Sequence, residues 1–317
     1  MRAALVALSL VVAGAACADE AFVTNQTGDD LTVLDLAAGK AVATIPIGGK
    51  PAGVAVSADG ARVYVTSPEG KSLTVIDAAA RTVIDRIALE GGPLGVSVHP
   101  SGTPVYVADW YAKHVLVVDP AARAVTARVE VGASPSGLAV TPDGATLLSA
   151  DRDSDQVSLV DLRTLKRVAT IPVGQRPFGV TIDRDGRRAY TANVASNDVS
   201  VIDLATQKVV GVVKVGERPY VVGLAAGKAF VSNQYDESVS VFDVSTLKTL
   251  ATIPVGEYPE GVEASADETK IYVANWFSNA VSVIDVATLK VDRSLDVGDG
   301  PRAFGAFIRA TPAQAGP

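Results

Sequence analysis

Apolar and polar residues alternate along this chain in short runs, and the runs recur. From Gly53 onward one stretch reads GVAVSADG, then RVYVTS, then SLTVIDAAA, then RTVIDRIALEG. Val, Ile, Thr and Tyr dominate, and turn residues separate the runs, which predicts short strands joined by tight turns. Asp-Gly pairs follow the first run at Asp59-Gly60, Asp143-Gly144 and Asp185-Gly186. Such pairs supply the positive φ that hairpin turns demand. No stretch carries a convincing helical period.

The four-run unit repeats in register. Proline recurs at Pro51, Pro93, Pro135, Pro177, Pro219, Pro259 and Pro301, in steps of 42, 42, 42, 42, 40 and 42 residues. Aspartate recurs with the same steps at Asp35, Asp77, Asp119, Asp161, Asp203, Asp243 and Asp285. An aromatic residue or Leu does so at Phe22, Tyr64, Tyr106, Leu148, Tyr190, Phe230 and Tyr272. Seven units of four strands, about 40 residues each, predict an all-β fold: a seven-bladed β-propeller of four-stranded antiparallel blades. The chain enters the pattern at a second run (AFVTN) and leaves it after a first run (PRAFGAFI). The C-terminal strand is therefore expected to close the ring, with residues 301–309 beside 21–25 in one composite blade, removing the free ends of a linear array. Two residues after each proline stand Gly53, Gly95, Gly137, Gly179, Val221, Gly261 and Ala303. That register of small residues marks the inner strands, where backbones crowd the axis.

Residues 1–18 differ in kind. Met1-Arg2, the apolar run Ala3 to Ala13 and the small residues Ala16-Cys17-Ala18 have the form of a cleaved export signal. The run is shorter than the roughly 20 apolar residues of a membrane span. The expected organisation is a signal peptide over 1–18, the propeller over 19–310 and a disordered tail over 311–317, in a periplasmic or secreted protein. A lipid anchor on Cys17 is the alternative, but Gly14-Ala15-Ala16 lacks the leucine-like residue of such sites. Cys17 is the only cysteine, so a chain cleaved after Ala18 has no disulfide and must rely on its core. With 48% hydrophobic and 20% charged residues, that core is affordable for a globular chain. The net charge of −7 disfavours nucleic acid as the partner of the whole surface.

The second runs AFVTN, VYVTS, VYVAD, AYTAN, AFVSN and IYVAN, with the VSVID-like and TIPVG-like runs between them, resemble the YVTN β-propeller repeat over all of 21–310. The unit ATLLSAD departs from it, with Leu148 and Asp151 where an aromatic and Asn are typical. The resemblance implies a periplasmic propeller. Relatives of the family include propellers associated with quinoprotein (PQQ-dependent) catabolism, a single-strand DNA binder, archaeal surface-layer proteins and, more remotely, lactonases.

Loop lengths are uniform, and only the turn near Ala225-Ala226-Gly227 is two residues shorter than its counterparts. Function must then reside in side chains on a constant frame, not in an expanded loop. The loops joining second to third strands, and one blade to the next, share one face, here called the top. Eight aromatics fall in them: Trp110, Tyr111, Phe178, Tyr220, Tyr235, Tyr258, Trp276 and Phe277. Aromatics gathered on one face suggest a contact surface. The residues flanking each proline should ring the channel mouth, and they are lopsided. Lys50, Arg176, Phe178, Arg218, Tyr220, Tyr258, Glu260 and Arg302 stand out, and arginines beside aromatics suit a carboxylate, a phosphate or a stacked ring.

These residues point to a monomeric, non-catalytic binding module for a partner protein or an anionic, ring-containing ligand, with no cofactor and no metal. An enzyme, a lactonase or lyase acting at the channel mouth, is the second expectation, with Glu260 as acid or base and Asp109, Asp151 and His114 as metal ligands. Single-strand stacking on Trp110, Trp276 and Tyr235 beside Arg176 and Arg218 is the third. The recurring Asp35-to-Asp285 series is expected to cap turns, with Asn25, Asn193, Asn233 and Asn275 doing similar work in the top loops. Asp109, Asp151, Asp153 and Asp155 form an acidic patch without the spacing of a cation loop.

Overall fold

The computed structural model describes residues 19–310, so the expected signal and tail lie outside the described residues. The chain forms seven antiparallel sheets set around an axis, one for each repeat. Blade 1 holds the strands within 20–46, and blades 2 to 7 begin at 53, 93, 135, 177, 219 and 259. Arg152–Ser154 is a single 3-10 turn. No helix among the described residues is long and apolar enough to cross a membrane.

Every blade is sandwiched between two others, and this explains the residue pattern. The second and third strands are buried on both faces, as in Glu20–Asn25 and Ser72–Asp77. The fourth strand, outermost, alternates between exposed and half-buried positions, as in Thr82–Ala88. The strand-two aromatics pack between blades as expected, and Leu148 fills the same place in blade 4. All seven recurring aspartates cap the turn that follows them, for example Asp77 accepting from the Ala80 amide at 2.9 Å and Asp285 from the Thr288 amide at 2.8 Å.

Around the axis, each inner strand lies against the next. A Cβ on Gly53 would stand 2.2 Å from the Leu94 carbonyl oxygen, and one on Gly95 1.9 Å from that of Ser136. Hydroxyls stitch the same seam. Thr66 Oγ1 donates to the Leu94 carbonyl at 2.5 Å, Ser136 Oγ to that of Phe178 at 2.9 Å and Ser232 Oγ to that of Glu260 at 2.7 Å.

The C-terminal segment closes the ring, with one departure from a continuous strand. Pro301 bridges to Asn25, and Ile308–Arg309 pair with Ala21 and Glu20. Between them, Phe304–Ala306 turn aside and pair in parallel with the first strand of blade 2. Ala303 at φ 45° and Gly305 at φ 129° allow the detour. Where the chain changes partner, the amides of Phe307 and Ile308 both donate to Glu263 Oε2, at 2.5 and 2.7 Å. Glu263 thus clasps blade 7 to the closing segment.

Burial pushes the Glu263 carboxyl up to about 8, against the pull of those two amides. The folded chain therefore holds a proton there that the unfolded chain has lost, between its ordinary 4.5 and about 8. Stability from this group is full below that window and falls as pH rises through it. Glu263→Gln keeps an oxygen for both amides and removes the titration. Urea midpoints of the two proteins should diverge in favour of the variant as pH is raised from 5 to 9. Parallel profiles would disprove the clasp's titration.

Candidate functional site

Strand alternation splits the expected ring at the channel mouth into two. The residue before the proline sits in the left-handed region in six of the seven units, at Lys50, Ser134, Arg176, Arg218, Tyr258 and Gly300. Its amide is tied to the preceding blade: Lys50 N donates to Asp29 Oδ1 at 2.8 Å, Arg176 N to Asp155 Oδ1 at 2.7 Å and Arg218 N to Asn197 Oδ1 at 3.0 Å. These side chains turn toward the top surface. The residue after each proline turns to the axis, and Ala52, Leu94, Ser136, Phe178, Tyr220 and Glu260 are all buried.

The inward set forms a plug. Phe178 and Tyr220 stack at 4.0 Å, and Phe304 meets Phe178 at 4.9 Å, although blade 5 is not a neighbour of the blade 2 sheet that Phe304 joins. Trp110 and Leu94 join the same cluster from blade 3. The top of the channel is therefore closed by side chains packed across the axis, not open as the sequence suggests.

Inside the plug lies a buried ion pair. Arg302 Nε stands 2.8 Å from Glu260 Oε2, with only 14% and 1% of the two side chains exposed. Gln234 Nε2 donates to Glu260 Oε1 at 2.9 Å. Arg302 also donates to Tyr220 Oη, and to Gln26 Oε1 at 3.3 Å, and lies 5.3 Å from the Trp276 ring. Burial pushes the Glu260 carboxyl upward, and Arg302 and Gln234 hold it back. Burial likewise raises the Tyr220 phenol, so it stays neutral and accepts from the guanidinium.

The outward set builds a surface. Arg152, Arg176 and Arg218 line one pocket of about 290 Å³, together with Val194, Ala195, Asn197 and Glu217. Arg152 is anchored by Asp153 at 2.7 Å and by the Trp110 ring at 5.5 Å. Arg176 is exposed. Arg218 lies 4.5 Å over the Tyr235 ring and donates to Tyr235 Oη at 2.8 Å, while its buried Nε has no acceptor. From Tyr235 an aromatic patch continues: Tyr258 at 5.8 Å, then Phe277 at 5.3 Å and Trp276 at 6.0 Å from Tyr258. Tyr235 and Phe277 are more than half exposed. An unpaired guanidinium edge beside exposed rings is what an anionic group on a flat or aromatic body would meet.

The expected site residues thus divide. Arg176, Arg218, Tyr235, Tyr258, Trp276 and Phe277 come together at the surface. Phe178, Tyr220, Glu260 and Arg302 belong to the plug, with Trp110 half-buried at its edge. Tyr111 is exposed on blade 3, against Gly92, and Lys50 is held by Asp29 at 3.2 Å. The single-strand stacking set is divided as well, because Trp110 packs on Phe178.

The enzyme expectation loses its geometry in the same way. Glu260 is sealed in its ion pair. Asp109 is buried and accepts from the Gly92 amide at 2.9 Å. Asp151 accepts from the Gly132 amide, Gln156, Ser149 and Ser158, and burial raises its carboxyl. Both occupy the place of the repeat's Asn, which elsewhere donates to a third-strand hydroxyl, as Asn193 does to Ser200 at 3.0 Å. Asp155 caps Arg176, and no group of three or more potential metal ligands gathers among the described residues. Spacing marks none of Arg152, Gln234 and Phe304: the first two stand at the repeat position of Gln26, Trp110, Val194 and Trp276, where no residue type is constant, and Phe304 stands at an inner-strand position that is Val or Leu in the other units.

A family model described as YNCE-like beta-propeller matches residues 11–101, 143–226 and 223–311. The chain belongs to this family. The fold recurs widely among solved structures. A functionally unknown protein from Desulfotomaculum acetoxidans superposes with a TM-score of 0.78 at 16% identity, over 93% of this chain and 99% of that one. Dihydro-heme d1 dehydrogenase NirN, in complex with DHE, gives 0.68 at 18% identity, over 89% and 74%. Kuenenia stuttgartiensis hydrazine synthase gives 0.55 at 20% identity, over 75% and 96%. These likenesses show the shared fold. No curated protein matches the chain in sequence.

Proposed function

We propose that this YNCE-like propeller is an exported, non-catalytic binding module whose top face holds an anionic, ring-containing group, presented by a partner protein or as a free ligand. The observation that carries this is the convergence of Arg152, Arg176 and Arg218 on one pocket, with the Arg218 Nε buried and unpaired beside the exposed Tyr235. Asp153 pairs with Arg152 and Glu217 supplies a second carboxylate, so the three guanidinium groups leave a single cationic excess at the pocket in an acidic protein. The leader-like N-terminus supports a periplasmic setting. The YVTN resemblance favours a partner from a quinoprotein oxidation system, and two similar structures, a dehydrogenase and a synthase, suit a redox context.

Phenyl phosphate is a direct probe, because it joins a dianion to a ring. Both tryptophans, Trp110 and Trp276, border this face, so intrinsic fluorescence reports binding. Arg176→Ala with Arg218→Ala should weaken phenyl phosphate at least about tenfold, the worth of one lost charge-assisted bond. The melting temperature should hold, since exposed cation–π contacts contribute only about 0.5–1 kcal/mol. Equal affinity in the two proteins would refute the reading. The same pair of variants, used as bait against periplasmic extract, distinguishes a protein partner from a free ligand.

A further inference from the structure

Below the plug the axial channel opens to the bottom face as a cavity of about 670 Å³. Its wall is the inner strands, and it is mostly apolar: Val96, Leu138, Val180, Val222 and Val262 contribute, with Gly and Ala between them. That volume and lining are those of a small-molecule site. One charged group stands on the wall above the bottom turns, Glu263, two residues inside the blade 7 turn. Its counterparts in blades 4 and 5 are Ala139 and Thr181.

Glu263 is used on one oxygen only. Oε2 takes both closing-segment amides, Oε1 accepts no hydrogen bond among the described residues, and the residue lines the cavity. The other charged groups on the cavity wall lie in or beside the bottom turns and are mostly committed. Arg184 reaches over the shortened turn of blade 6 to Glu268 at 3.0 Å, and the Ala226 amide donates to Glu268 at 2.6 Å. Asp183 accepts from the Arg187 and Arg188 amides, and Asp185 pairs with Arg187 at 3.3 Å. Lys228 opens the second strand of blade 6 and makes no ion pair with Glu263 among the described residues, and no cation acts on the Glu263 carboxyl there. Charge on the wall is therefore acidic in excess, and the inner carboxylate lacks a cation. A buried carboxylate without one is costly unless it is protonated or given a partner.

We propose that the lower channel binds an apolar molecule carrying one protonated amine, with Glu263 Oε1 as its counter-ion and the Val and Leu side chains of the inner strands around its body. The site is separate from the top face and does not depend on its function.

The test uses phenethylamine and 2-phenylethanol, which share a ring and differ in the amine, titrated by calorimetry at pH 8.5. The amine should bind wild-type protein at least about tenfold more tightly than the alcohol, as a charge-assisted bond in an apolar site allows. Amine affinity should rise from pH 6.5 to 8.5, with proton release. Glu263→Gln should bring the two probes to within about twofold of each other by removing that bond. Ala306→Trp, at an exposed cavity-lining position, should block both and leaves Glu263 in place. Equal binding of amine and alcohol to the wild type would overturn the proposal. So would no binding of either, or amine preference persisting in Glu263→Gln or in Ala306→Trp.

Discussion

Replacing Arg302 with methionine is expected to destabilise the propeller by about 3–5 kcal/mol, the range for breaking a buried ion pair from one side. The loss is large because Glu260 would keep its place in the plug, 1% exposed, without the guanidinium 2.8 Å from its Oε2, and the Arg218 charge that also acts on it makes no ion pair with it. Gln26, Tyr220 and the Trp276 face would lose their partner in the same step. Adding Glu260→Gln should return much of the loss. A neutral amide needs no counter-ion, and Gln234 lies within hydrogen-bonding distance of that position. Urea unfolding at pH 7 across the four proteins of this cycle gives the coupling energy. If the double variant were as unstable as the two singles added together, the pair would not act as a unit.

Gly95→Ala should be comparably damaging, at about 3 kcal/mol or somewhat more, the upper range for overpacking a rigid site. Its Cβ would lie 1.9 Å from the Ser136 carbonyl oxygen, which is backbone of the next inner strand. Neither strand can retreat without moving its blade. Gly227→Ala is the matched control, with φ at 73° and nothing within 4 Å of the added carbon. It should cost only the left-handed strain of about 1 kcal/mol. Melting curves of the two variants separate crowding from backbone strain. Equal shifts would mean that crowding at the axis is not what selects glycine there.

The repeat carried most of the architecture in plain view. Proline, aspartate and strand-two aromatic positions each mark a local event: an inner strand begins, a turn is capped, an inter-blade face is filled. Local events are encoded by neighbours in sequence, so the blade count, the Asx turns and the composite closing blade were all legible. The glycines at 53, 95, 137, 179 and 261 were legible too, because crowding at an axis acts on every copy alike.

The site was legible only in part. Arg176 and Arg302 both flank a proline, and linear reading put them on one rim. The structure sends the first to the surface and the second into the plug, because successive strand residues point opposite ways. Arg152 reaches the arginine pocket from a different loop, and Phe304 reaches Phe178 from across the axis, distances that no spacing encodes.

By itself, then, the sequence determined the ring: seven copies of one unit, each able to bury its faces only against the next. The tertiary structure alone decided that the top of the channel is shut, that Glu260 and Arg302 neutralise each other inside it, and that Glu263 stands on the wall of an open lower cavity. The plug depends on side chains from non-adjacent blades meeting at the axis, and the other two outcomes on the closing segment lying against blade 7. A repeat fixes what each blade is, and closure fixes which side chains face one another.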